Sequence, residues 1–149
     1  MTALRNLTAL VLLGILGAMA PAKADAVADA LSRWGIMGAW KSDCSTPPDD
    51  SHILVIYAIE DGRPVHRRQG STWGDVNPVL AATENGDGSL SLVIEFPAFN
   101  HDERVNRLVK SDLGWRTVEN HRLDGSDVSV RDGYLVNSGM QTPWFHHCR

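Results

Sequence analysis

His146, His147 and Cys148 stand side by side near the end of the chain, residue types that ligate zinc or copper when they converge. Convergence is the difficulty. Neighbours on an extended strand point to opposite faces, so the two imidazoles diverge. Cys148 loses its thiolate if it pairs with Cys44, the only other cysteine. The expectation is therefore a Cys44–Cys148 disulfide, with no metal and no cofactor. Asn85, Asp87 and Gly88 imitate part of a calcium loop, but Thr83 and Ile94 would then occupy its opening and closing positions. A tight turn is the expectation there. Asn100–Glu103 gathers His101, Asp102 and Glu103 into one polar loop able to supply an acid, a base or a ligand, although exposed loops are polar by default. Glu95 alternates away from an apolar face and reads as solvated. No Gly-x-Ser-x-Gly elbow is present. A hydrolase is accordingly the third choice of function, and the chain is not expected to be an enzyme.

Binding chemistry has more candidates. Arg107 shares a strand face with Val105 and Val109, while Asn106 and Leu108 share the other. If the first face looks into a cavity, Arg107 is an inward cation for an anionic ligand group. If the second does, Arg107 is solvated, the commoner fate of arginine. The five tryptophans match the tyrosines and phenylalanines combined, which makes them the aromatic surfaces to consider. Trp34 and Trp40 read as core. Trp73 follows Gln69-Gly-Ser-Thr72 in a turn-rich connection and can stack on a ligand or partner. Trp115 and Trp144 flank strands and can line or cap a cavity, with packing as the simpler role for each.

The elements that must position these residues are short. Residues 1–24 read as a secretory signal peptide: Arg5 begins it, an apolar stretch spans Ala9–Ala20, and Ala22-Lys23-Ala24 fits a cleavage site. That apolar stretch is too short for a membrane span. Residues 25–149 then form one domain, exported to the periplasm or beyond, where two cysteines form a disulfide. The whole chain carries a net charge of −4, and losing Arg5 and Lys23 makes it more acidic, which argues against nucleic acid or anionic lipid as partner. Asp25–Gly35 reads as a helix, with Val27, Leu31 and Trp34 at helical spacing and Gly35 closing it. Everything downstream reads as strand and turn. Hairpins are signalled at Asp61-Gly62, Asn85–Gly88, Ser111–Gly114 and Asp132-Gly133. Leu90, Leu92, Ile94 and Phe96 alternate with Ser91, Val93 and Glu95. Pro64 places its strand at an edge, at a strand start or at a bulge.

The fold class is thus all-β, an antiparallel up-and-down meander of about eight strands with a short N-terminal helix. It closes, or nearly closes, into a barrel; a sandwich is the alternative. In a closed meander the first strand pairs with the last, and Cys44–Cys148 would clip them together.

A helix bearing Trp34, followed by Gly38-Ala39-Trp40 on the first strand, resembles the calycin group of lipocalins and avidin-like barrels. The resemblance implies a tryptophan packed at the closed end beneath a basic residue of the last strand, here Arg149, His146 or His147. The Thr-Asp-Tyr signature of lipocalins is absent. The chain also resembles short exported bacterial proteins with Asp-Cys-Ser near the start and Thr-Pro-Trp before a terminal cysteine. The expected function is a small-molecule binder using the barrel interior or mouth through Trp73, Arg107, Trp115 and Trp144. A protein-interaction module, an inhibitor or envelope-complex component, is the alternative.

Overall fold

The computed structural model describes residues 20–148. Residues 1–19, most of the expected signal peptide, and Arg149 lie outside the described residues. A helix, α1 (Ala20–Trp34), leads into ten strands: β1 (Gly38–Lys41), β2 (Leu54–Glu60), β3 (Arg63–Gln69), β4 (Gly74–Glu84), β5 (Leu90–Phe96), β6 (Asp102–Ser111), β7 (Gly114–Arg122), β8 (Val130–Arg131), β9 (Tyr134–Leu135) and β10 (His146–His147). The count exceeds the expected eight because the last third of the chain breaks into two-residue strands, where Asp-Gly turns and Pro143 keep interrupting pairing.

Strand order is β10-β1-β2-β3-β4-β5-β6-β7-β8-β9, all antiparallel. This is a meander in which β10 returns beside β1, so the first strand does pair with the last. The sheet curls into an open half-barrel. The segment entering β10 reaches across to β7, where Trp115 and Phe145 exchange backbone hydrogen bonds of 3.1 and 2.7 Å and Thr142 Oγ1 donates to Thr117 O at 2.6 Å. Pro64 sits at the second position of β3, a strand with neighbours on both sides, so of the three expected placements it takes the strand start. β4 begins at Gly74, earlier than the apolar run from Pro78 suggests. Asp75 and Asn77 pair across to Arg68 and His66.

The inward faces follow the pleat. Val55 and Tyr57 of β2, Val79 of β4, Leu90, Leu92, Ile94 and Phe96 of β5, and Leu108 of β6 are buried together. α1 closes one end, lying along β3 and β4 and contributing Val27, Leu31 and Trp34 to the core. Its terminus is tied on both sides. Trp34 Nε1 donates to Gly88 O at 2.9 Å, and Lys110 Nζ donates to Trp34 O at 3.1 Å. Gly35 takes the left-handed closing position, with φ 82°.

Trp40 sits near this core, 9% exposed, and donates from Nε1 to Ile36 O at 2.6 Å. His147 of the last strand meets its ring edge-to-face, with centroids 4.9 Å apart. The Gly-x-Trp spacing has a physical cause: at Gly38 (φ 114°) an added Cβ would lie 2.7 Å from His147 Nε2. Cys44 and Cys148 form the expected disulfide, with Cα atoms 5.5 Å apart.

That bond needs a fold-back. Lys41 pairs with His146, so an extended continuation would carry Cys44 away from Cys148. Instead Asp43 Oδ1 accepts from Ser45 N at 2.9 Å and from Ser45 Oγ at 2.6 Å, turning the chain. Lys41, 2% exposed, holds the turn from beneath, donating to Thr46 Oγ1 at 3.0 Å, Pro47 O at 2.8 Å and Thr46 O.

Candidate functional site

The end opposite α1 carries the β1–β2 loop, the β3–β4 and β5–β6 turns and the β7–β8 connection, and it is open. Beneath it lies a cavity of about 170 Å³ inside the half-barrel, walled by Tyr57, His66, Phe96, Asn106, Trp115 and Phe145 among others. Two wider depressions, of about 410 and 440 Å³, share Asn120 and other walls with it and form its mouth.

Each wall residue is placed by register. Tyr57 faces His66, His66 faces Asn77, and Arg68 faces Asp75, so all five point to one side of the sheet. On the far wall Asn106 faces Asn120, with Leu108 opposite Thr117 across a register shift. Trp115 stacks on Phe145 at 4.5 Å with planes 5° apart, and meets Trp40 and Tyr57 edge-on at 6.1 and 6.2 Å. The floor is aliphatic, the middle aromatic and amide-bearing, and the mouth charged.

The charges at the mouth neutralise one another. Arg68 holds Asp75 through Nε at 3.1 Å and also through Nη2, and its guanidinium lies 4.8 Å from the Phe96 ring centre. Burial tends to raise the Asp75 carboxyl, but hydrogen bonds from Arg68 and Asn77 outweigh it and hold the group below its ordinary value. Arg104 donates from Nε to Asn120 Oδ1 at 2.7 Å and pairs through Nη1 with Asp102 at 3.2 Å and Asp127 at 2.9 Å.

Deeper in, partners run out. His66 Nδ1, Asn106 Nδ2 and Trp115 Nε1 are buried and make no hydrogen bond among the described residues. A buried polar atom without a partner costs about 1–3 kcal/mol, and three such atoms belong to residues lining this one cavity.

Burial, reinforced by the Arg68 charge and opposed by Asp75, pushes His66 down to about 3 from its ordinary 6.5. Burial alone raises the Tyr57 hydroxyl far above its usual range. Between pH 6.5 and about 3 the unfolded chain therefore takes up a proton at His66 that the folded protein refuses. Stability contributed by the neutral imidazole is complete above 6.5 and declines as the pH falls through that window. On moving from pH 7 to 4.5, urea unfolding should show the wild type losing about 2–3 kcal/mol more than His66→Gln. Equal losses in the two proteins would refute a neutral buried His66.

Of the residues singled out from the sequence, Trp115 lines the cavity. Arg107 does not. Asn106 and Leu108 face inward on β6, and Arg107 lies on the outer face, where Nη1 pairs with Glu119 at 2.9 Å, Nε donates to Ser89 Oγ at 3.1 Å and Nη2 binds Asp87. The hydroxyl and amide of Ser89, then Arg107, hold Asp87 down to about 2. Trp73 sits at the rim, 40% exposed, donating from Nε1 to Asp50 Oδ1 at 2.9 Å, with its ring 5.7 Å from Arg68. Trp144 stacks on Arg116 at 5.0 Å, on the side of β7 opposite Trp115. His101 pairs with Glu95 at the surface.

The inward cation is Arg68. Its alternation with His66 was visible in the sequence, but the face they share became interior only through pairing with Tyr57 and Asp75. Asn77 and Asn120 carried no signal of their own.

Among the described residues no helix is long and apolar enough to cross a membrane. No protein-family model, curated protein or solved structure matches the chain.

Proposed function

We propose that the protein is a small exported binding protein that holds a small molecule inside the half-barrel, in the calycin manner. One observation carries the reading: a cavity of about 170 Å³ whose walls include three buried polar atoms with no partner among the described residues. The aromatic walls supply apolar contact, the free polar atoms supply orientation, and the mouth admits a ligand between the Arg68 and Arg104 clusters. The signal-peptide pattern of the first 24 residues and the disulfide support an exported location.

Native mass spectrometry of the purified protein should show a retained or saturably added small molecule. A Thr117→Trp substitution, which fills the cavity from β7, should lower its occupancy at least about tenfold. Retention undiminished in a folded Thr117→Trp protein would place the ligand elsewhere. No retention and no saturable binder across a diverse small-molecule library would defeat the reading.

A further inference from the structure

The chemistry of the cavity walls narrows the ligand, on the premise that the half-barrel binds one. We propose that the ligand is an uncharged, planar, single-ring molecule whose rim carries hydrogen-bond acceptors, such as a ring carboxamide or cyclic amide.

Size sets the first limit. A cavity of about 170 Å³ compares with the roughly 150 Å³ that accommodates benzene in an apolar protein core. One ring with a small substituent fills it, and anything larger has to extend into the mouth. Shape sets the second. Trp115, Tyr57, His66 and Phe96 present aromatic surfaces around the space, which favours a flat occupant over a branched one.

The hydrogen-bond inventory sets the third. Trp115 Nε1 can only donate. Asn106 Oδ1 already accepts from Asn120 Nδ2, which leaves the Asn106 Nδ2 group as a second donor. His66 Nδ1 donates or accepts according to tautomer. Two fixed donors and one adaptable nitrogen call for acceptors on the ligand.

Charge sets the fourth. Arg68 is the one charged side chain of the cavity wall among the described residues, and Asp75 holds it at two guanidinium nitrogens. With Asp75 already offsetting the Arg68 charge, an anion would meet no net positive charge there and a cation no free counter-charge; a buried unpaired ion is disfavoured. The neutral His66 adds no charge of its own.

Calorimetric titration of the purified, disulfide-bonded protein tests the class. Benzamide and nicotinamide should bind saturably, with benzoate, benzylammonium and 2-naphthamide each at least about 30-fold weaker. Trp115→Phe, which keeps an aromatic face and removes the donor, should weaken benzamide about tenfold, and so should Asn106→Leu; thermal melts establish that each is folded. If one variant fails to fold, the other decides. Benzoate, benzylammonium or 2-naphthamide binding as tightly as benzamide would overturn the ligand class while leaving the cavity as the binding site. So would a molecule retained in native mass spectrometry when none of the five probes binds. Binding of benzamide unchanged in both folded variants would overturn the donor assignment. If nothing is retained and nothing binds, the ligand class and the binding reading fall together.

Discussion

Replacing Cys44 and Cys148 together by serine is expected to lower the unfolding free energy by about 4–5 kcal/mol, the gain associated with closing a loop of about 100 residues. The two cysteines are 104 positions apart, so the bond constrains nearly all of the described chain in its unfolded state. The effect should not be uniform in the folded state. β10 is held to β1 by only two paired positions and the Cys148 N to Ala39 O bond of 2.8 Å, whereas β5 and β6 pair over seven. Hydrogen exchange should therefore show β10 and the Trp115–Phe145 junction losing protection first, with β4 to β6 retaining theirs until global unfolding. In urea the midpoint should move down by roughly 2 M for a chain of this size. A double-serine protein within about 1 kcal/mol of wild type would show that the pairing of β1 with β10 does not depend on the clip.

Gly114→Ala should be nearly as damaging, although it adds one methyl group. Gly114 starts β7 with φ 125°, a conformation closed to side chains, and its Cβ would fall 2.0 Å from Phe145 O. The obstacle is backbone, so no rotamer change relieves it. Either β7 shifts, or Phe145 withdraws and the margins of the half-barrel separate. The expected loss is at least about 3 kcal/mol. Gly125→Ala supplies the comparison: φ is 83° but no atom lies within 4 Å of the added Cβ, so only the left-handed penalty of about 1–2 kcal/mol applies. Equal losses in the two variants would show that the close approach to Phe145 contributes nothing. A larger loss at Gly114, with Trp115 fluorescence shifted to the red, would identify this glycine as the residue that lets the margins meet.

Both predictions concern closure, which was only partly legible in the sequence. The alternation of Leu90 to Phe96 and the Asp-Gly turns act between residues a few positions apart, so they specify strands and hairpins wherever they occur. A meander follows from such turns in series. The disulfide was legible too, because two cysteines allow only one intramolecular pair. Its geometry was not. Antiparallel pairing of β1 with β10 sends the ends of those strands in opposite directions, and only the turn at Asp43–Ser45, gripped by Lys41, brings Cys44 back. Nothing in the residues around Lys41 announces that its ammonium will be enclosed by carbonyls.

The cavity shows the same division. Alternation sorted Arg107 from Asn106, and Arg67 from Arg68, onto opposite faces without ambiguity. It could not say which face lies inside, because β6 carries valines on one face and Leu108 on the other, so neither is clearly apolar. By itself the sequence determined the all-β class, the hairpin order of the main strands, the cysteine pair and the tryptophan of the first strand. These rest on short-range sterics and on counting. Tertiary structure decided that Arg68 faces inward and Arg107 outward, that Trp115 joins the cavity while Trp144 stays outside it, and that three polar atoms of the cavity wall have no partner among the described residues. Inside and outside are properties of a curled sheet, set by register between strands far apart in the chain, and no local pattern encodes the direction in which a sheet will curl.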